Sequence, residues 1–178
     1  MSSSGRVPKQ QALFDKFTTD LQPGRLQWIG VRPARREPMI TATEAQAVAG
    51  MGLTGDRRMQ GSAGSGRQVT LIAAEHLDVI ARLLHLDVID PALVRRNLVV
   101  SGVNLNALRY QQFRVGDVVL ESTELCHPCS RMDEVFGPGG QAAMLGHGGL
   151  CARILQGGII RIGDAVQVLS PHERIKSH

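Results

Sequence analysis

The residues best equipped for chemistry are concentrated in Thr123 to Met132, TELCHPCSRM. Two of the chain's three cysteines, Cys126 and Cys129, flank His127 and Pro128, and Arg131 follows closely. A thiol beside positive charge gives up its proton more readily, and the thiolate is the form that attacks electrophiles or ligates soft metals. Cys129 is taken as the working residue. Three chemistries fit this stretch. Cys126-x-x-Cys129 followed by His147-x-x-x-Cys151 supplies four zinc-type ligands, which would make a metal-stabilised, non-catalytic binding module. Cys126 and Cys129 also have the spacing of a thiol–disulfide pair, although such sites open a helix in a βαβ unit and this one leaves a predicted hairpin. Buried packing is the plain alternative for each thiol, and it is the reading adopted for Cys151, which lies in an apolar strand.

Two further stretches carry anion-binding chemistry. Met51 to Arg67, MGLTGDRRMQGSAGSGR, sets Gly52, Gly55, Gly61, Gly64 and Gly66 among Arg57, Arg58 and Arg67. A glycine-rich backbone can turn its N–H groups toward an anion while arginines add charge, or the segment is a flexible hairpin or lid. It is neither a Walker loop nor a dinucleotide fingerprint. Arg95-Arg96-Asn97, at the entrance to a strand, could grip an oxyanion and hydrogen-bond a heterocycle, or form salt bridges to Asp90 or Glu75. The loop RPARREP, with Arg32, Arg35 and Arg36 between prolines, reads as exposed and basic.

The chain of 178 residues is long enough to bury a sizeable core in one domain. Its net charge of +4 rests on 17 Arg against 3 Lys, which suits bidentate phosphate or carboxylate recognition but also a simple codon preference. Trp28 and Tyr110 are the sole Trp and Tyr, so the aromatic platforms of nucleic-acid binders are missing. No apolar run has the length of a membrane span, and MSSSGRVPKQ lacks an apolar signal core. Three cysteines cannot all pair, and the cytoplasm is the expected compartment.

The elements that must position these groups are mostly short strands. Met1 to Pro8 reads as small, polar and mobile. Gln10 to Leu21 predicts a packing helix with Leu13, Phe14, Phe17 and Leu21 on one face. Strands follow at Leu26 to Val31, Gln68 to Ile72 and Leu98 to Val100, with a helix at Ala74 to Leu84 carrying Leu77, Ile80, Ala81 and Leu84 inward; His76 and His85 read as surface or helix-end residues. Pro91 opens a short helical turn. FRVGDVVLES, Phe113 to Ser122, predicts a hairpin turning at Gly116-Asp117, and IIRIGDAVQVLS repeats its form and predicts a second. Ala142 to Leu145 reads as a short helix, and HGGLCARIL returns to a strand. The fold class is mainly β with helices (α+β), a closed or nearly closed β-barrel. The expected division is an N-terminal arm and helix over 1–25, a barrel domain over 26–170 and a polar tail over 171–178.

GLTGDR at Gly52 to Arg57, VRRNLVVSG at Val94 to Gly102, FRVGDVVLE at Phe113 to Glu121, PCSRM at Pro128 to Met132 and the GGLCARIL segment occur in the order and spacing of a known family. In these features the sequence resembles the MOSC domain, named for the C-terminal domain of molybdenum cofactor sulfurase, and is most similar to its stand-alone bacterial type. The resemblance implies a β-barrel with one essential cysteine, here Cys129, that carries sulfur as a persulfide or ligates molybdenum of the molybdenum cofactor (molybdopterin) in reducing N-hydroxylated compounds. It implies an oxidoreductase or a sulfur carrier of sulfurtransferase type, partnered by an electron-transfer protein or a sulfur donor. It also implies that Arg95 and Asn97 lie near the pterin, with Arg57, Arg67 and Gly55 in the same cradle. The pyridoxal-phosphate domain of full sulfurases and the separate N-terminal barrel of larger reductases have no counterpart here. Cys126 stands as a residue that resolves a persulfide at Cys129 or simply packs.

Overall fold

A computed structural model describes residues 9–177; the expected mobile segment Met1 to Pro8 lies outside them. In chain order the elements are α1 (Lys9–Thr18), β1 (Gly24–Val31), β2 (Ile40–Ala42), β3 (Glu44–Val48), β4 (Gly52–Leu53), a 3₁₀ turn (Arg57–Gln60), β5 (Val69–Ala73), α2 (Ala74–Leu83), α3 (Pro91–Val94) and β6 (Leu98–Ser101). A second 3₁₀ turn (Leu105–Leu108) precedes β7 (Gln112–Val115), β8 (Val118–Leu125), α4 (Arg131–Phe136), α5 (Gly140–Met144), β9 (Leu150–Gln156), β10 (Gly158–Arg161) and β11 (Ala165–Val168).

The large sheet runs β11-β7-β8-β9-β5-β6-β1-β2, and β11 also pairs with β1, closing seven strands into a barrel with β2 appended. All of its pairings are antiparallel except β5–β6. A parallel pair needs a crossover, and α2 and α3 supply it. The expected closed barrel with helices is therefore the fold.

Periodicity explains why these segments are strands and where the core lies. Along β5, Val69, Leu71 and Ala73 point into the barrel while Ile72 points outward; on β6, Leu98 and Val100 point in and Val99 out. The outward residues meet Leu77, Ile80, Val94, Met132 and Met144, from the helical side of the molecule, so both strands are buried on both faces and read as continuous apolar runs. Phe113 is fully buried among the inward Val and Leu side chains.

The hairpin at Phe113 to Ser122 is present, with Val115 opposite Val118 across Gly116-Asp117. Gly116 has φ +56, and an added Cβ would run into the Asp164 carboxylate. The second predicted hairpin is not one. The segments flanking Gly163-Asp164 go to different sheets, β10 onto β3 and β11 onto β7 and β1. The Gly163 N–H donates to Leu26 O and the Leu26 N–H to Asp164 O, so the turn hands the chain from the small sheet to the barrel.

Two other expectations change. The face of α1 is largely exposed, with Leu13 and Phe17 more than half open, because the helix rests against the barrel through Phe14 on Tyr110 and through an Arg174–Asp15 ion pair. The loop RPARREP is exposed at Arg35 and Arg36, but Arg32 is buried. Within the described residues, no helix is long and apolar enough to cross a membrane.

Candidate functional site

Asn97 is the residue around which one end of the barrel is built, and it is completely buried. Its Oδ1 accepts from the Thr70 N–H, the Thr70 hydroxyl and Arg32 Nη2 at 3.0–3.1 Å. Its Nδ2 donates to Gly30 O and Asp56 Oδ2 at 3.0 and 2.8 Å. One amide thus ties β1, β5 and the entrance of β6 to the loop carrying Asp56, with all of its donors spent.

Asp56 completes this floor. Its carboxylate accepts from Arg32 N, Nε and Nη2, from the Arg58 N–H and from Asn97. Burial by itself would raise the Asp56 pKa, but the charge and hydrogen bonds of Arg32 outweigh it and hold the carboxyl below its ordinary value. Asp56 also caps the 3₁₀ turn that opens with Arg57, which is how a buried ion pair aims an exposed basic turn. Gly55, just before it, has φ +88, a conformation glycine adopts without strain.

On this floor stands a run of guanidinium groups. Arg58 has its pKa lowered by burial and then by Arg32, Arg67 and Arg57. Burial, followed by Arg131, Arg32 and Arg57, does the same to Arg95. The run therefore extends from Arg67 through Arg58, Arg57 and Arg95 to Arg131, two residues after Cys129. Among the described residues its one ion pair is Arg67–Glu124, at 3.6 Å, since the Arg32–Asp56 pair belongs to the floor beneath it. Arg57, Arg58 and Arg67, with Met51, Gln60, Gly61, Ser62 and Ser65, line a cavity of about 350 Å³. A larger cavity of about 550 Å³ lies beside the cysteine loop, lined by His127, Pro128, Asp133, Gln141, Ala142 and Leu145. It contains none of the arginines, so the charge-based chemistry belongs to the smaller one.

Cys129 is exposed, at the turn where its carbonyl accepts the Met132 N–H and α4 begins. Cys126 and Cys151 are buried and reduced. Cys126 sits at the end of β8, where its N–H donates to Gly149 O, and its sulfur accepts from the Cys151 thiol and from Arg67 Nη2, the latter at 3.7 Å. The Cys151 hydrogen bond, together with the charges of Arg96 and Arg67, lowers the Cys126 pKa despite burial. The Cys151 pKa is raised, first by that same hydrogen bond to Cys126 and then by burial. The two shifts run in opposite directions, so loss of a proton is favoured at Cys126 over Cys151.

The zinc constellation does not assemble. Cys126 and Cys151 meet, Cys129 faces solvent, and the His147 ring packs edge-to-face on His76 at 5.1 Å. Among the described residues no group of three or more His, Cys, Asp or Glu is placed to hold a metal ion. The sequence pairing of Cys126 with Cys129 is likewise replaced: the thiol beside Cys126 is that of Cys151, 25 positions away on the neighbouring strand.

The Arg95-Arg96-Asn97 triplet separates into three tasks. Arg95, at φ +58, faces the arginine run and donates to Glu37 O. Arg96 turns inward, is buried, and donates to Gly148 O, Val94 O and Cys126 O at 2.8–3.1 Å, so it grips backbone rather than ligand. Neither makes an ion pair with Asp90 or Glu75, which bind the N–H groups of Ala92 and Gly102. Sequence reasoning missed Arg32, Asp56 and the use of Arg96. The available signal was Asp56 itself, the single carboxylate between Gly55 and two arginines, in helix-capping position.

A family model for the MOSC domain matches residues 57–167. The fold resembles the YuaD protein from Bacillus subtilis, with a TM-score of 0.72 at 18% identity over 83% of this chain and 96% of that one. It also resembles YiiM from Escherichia coli, TM-score 0.62 at 19% identity over 86% and 72%. YiiM from Geobacillus stearothermophilus gives 0.63 at 16% over 83% and 76%. No curated protein matches. The matched span runs from the first arginine of the exposed turn to the last barrel strand and takes in both cysteines of the loop, and the chain belongs to the MOSC domain family.

Proposed function

We propose that this chain binds molybdenum cofactor, with Cys129 as the thiolate ligand of the metal and the arginine run holding the anionic end. The observation that carries this is the run itself: Arg58 and Arg95, whose pKa values are lowered first by burial and then by neighbouring guanidinium groups, stand with Arg57 and Arg67 near an exposed thiol, with few carboxylates paired to them. Protein does not gather such charge at low cost, and an anion relieves it. Arg57 and Arg67 would hold the phosphate with the turn at Gly55, Arg95 would face the pterin, and Asn97 would act through Arg32 and Asp56 because its own donors are spent. A soft thiolate suits a metal already ligated by sulfur. When bound, the cofactor supplies two-electron redox chemistry, while the protein orients it and sets access.

In the reductase form, N-hydroxylated compounds are the substrates and an electron-transfer protein the partner; in the relay form, Cys129 carries sulfane sulfur from a sulfur donor. The three unpaired thiols suit a reducing compartment, the cytoplasm. Reconstitution with the cofactor should load about one molybdenum per chain in the wild type and none in Cys129→Ser; equal loading removes Cys129 as ligand. Incubation with a sulfur donor should leave cyanide-releasable sulfur on Cys129 if the relay form operates, and its absence by mass spectrometry removes that form.

A further inference from the structure

Two guanidinium groups flank Cys126, and they are differently placed. Arg96 is buried with only carbonyl oxygens as acceptors and forms no ion pair among those found in the described residues. A buried cation needs a counter-charge, and Arg96, which donates to the Cys126 carbonyl, is one of the two guanidinium charges that favour the anionic form of the Cys126 thiol. Arg67 is 44% exposed at its side chain and spans the distance from the arginine cavity to the same sulfur. The Thr123 hydroxyl, which reaches the carbonyls of Gly66 and Cys151, fixes the base of Arg67 against the β8–β9 ladder. The partner of Cys126 is already in place: Cys151 is buried on the neighbouring strand, opposite Glu124 in the β8–β9 ladder, while the Cys126 N–H meets Gly149 O two residues before Cys151.

We propose that Cys126 and Cys151 form a second thiol centre, a dithiol/disulfide couple behind the arginine cavity that sets, through Arg67, how strongly the cavity holds an anion. With a peroxide as oxidant, the Cys126 thiolate attacks one peroxide oxygen and releases hydroxide, leaving a sulfenic acid. The Cys151 sulfur then attacks Cys126, an S–S bond forms, and the sulfenic oxygen leaves with the Cys151 proton as water. The net change is two electrons from the two sulfurs to the peroxide. Once the sulfur is neutral, the attraction holding Arg67 inward is gone, and the full charge of its guanidinium is turned to the cavity. Neither step involves Cys129, so the couple operates whatever anion the cavity takes.

The test uses the full reduced chain titrated with hydrogen peroxide, quenched by alkylation in denaturant and mapped by mass spectrometry. The first product should be a Cys126–Cys151 disulfide, with Cys129 recovered alkylated. A first product containing Cys129, or recovery of both buried cysteines alkylated, overturns the assignment. Because the result is read in the wild type, it does not depend on whether replacements of the buried cysteines fold. In Cys151→Ala the sulfenic acid should persist on Cys126 and react with dimedone. Inorganic phosphate should bind about threefold tighter to the oxidised protein, the size expected of one unit charge at several ångströms in a solvent-facing setting. Arg67→Gln should abolish the difference. Equal or weaker phosphate binding after oxidation overturns the coupling to the cavity.

Discussion

The protein houses arginine in two opposite ways at the same end of the barrel. Arg32 and Arg96 are buried and their donors are matched, Arg32 by Asp56 and Asn97, Arg96 by three carbonyls. Arg57, Arg58 and Arg67 line a cavity, and among the described residues Arg67 alone of these has a carboxylate in ion-pair range. The difference separates frame from site. A charge whose partners are all intramolecular contributes to the shape of the molecule, whereas charges pressed together and left unmatched are available to a ligand.

That contrast is broken most forcefully at Asp56. Asp56→Ala leaves the Arg32 guanidinium buried without its counter-charge, and the cost should be about 3–5 kcal/mol in thermal or denaturant unfolding. A cost below about 1 kcal/mol would mean that the network is not the frame. Arg96→Met should cost about 2–3 kcal/mol, since three buried carbonyls lose a charged donor together. It should also slow alkylation of Cys126 in the native protein at neutral pH, which a purely structural role would not predict.

The opposite pattern is expected on the cavity side. Arg57→Gln with Arg58→Gln should change stability by no more than about 0.5 kcal/mol. The same pair should weaken inorganic phosphate roughly tenfold, with a shallower salt dependence. Unchanged phosphate affinity would assign the cavity arginines to solvation alone.

Acid should sharpen the comparison further, because the frame titrates. The Asp56 pKa is depressed in the folded state, so its stabilisation is complete above the ordinary value of 3.8 and is lost as pH falls from there through the folded value. His76 acts higher on the scale. Burial, and then the neighbouring His147, depresses its pKa below 6.5, while Glu75 opposes them. Stability should therefore begin to fall as pH drops below 6.5, where the unfolded chain takes up a proton that the folded one resists. His76→Phe should flatten this region of the stability profile, and an unchanged slope would place the acid sensitivity elsewhere.

What the sequence disclosed divides along the same line. The alternation in VTLIA and LVVS, and the Gly-Asp turn after FRV, announce strands and a hairpin through local geometry, and both are present. The α4 helix escaped notice because it has six residues and follows directly on the cysteine loop. Gly163-Asp164 has the same local chemistry as Gly116-Asp117, and only tertiary pairing decides that one makes a hairpin and the other changes sheets. Arg96 was indistinguishable from Arg95 by type, yet one turns into the core and the other outward. Cys151 read as packing because its partner, Cys126, is a neighbour across the ladder rather than along the chain.

Gly148 and Gly149 show what the inward turn of Arg96 accomplishes mechanically. A Cβ at Gly148 would collide with the Cys126 carbonyl, and one at Gly149 with the Leu71 carbonyl, so the chain passes there at closest approach. Arg96 then clips three separate segments at one point, through Val94, Cys126 and Gly148. The loop that presents Cys129 is rooted in that clip at its first residue. Amide hydrogen exchange at Cys126 and at the Gly148–Gly149 turn should accordingly be slow and should rise in concert, as a single opening event, rather than segment by segment. The exposed thiol is held out on a short stiff mount, and ordering it around a ligand demands little additional loss of backbone entropy.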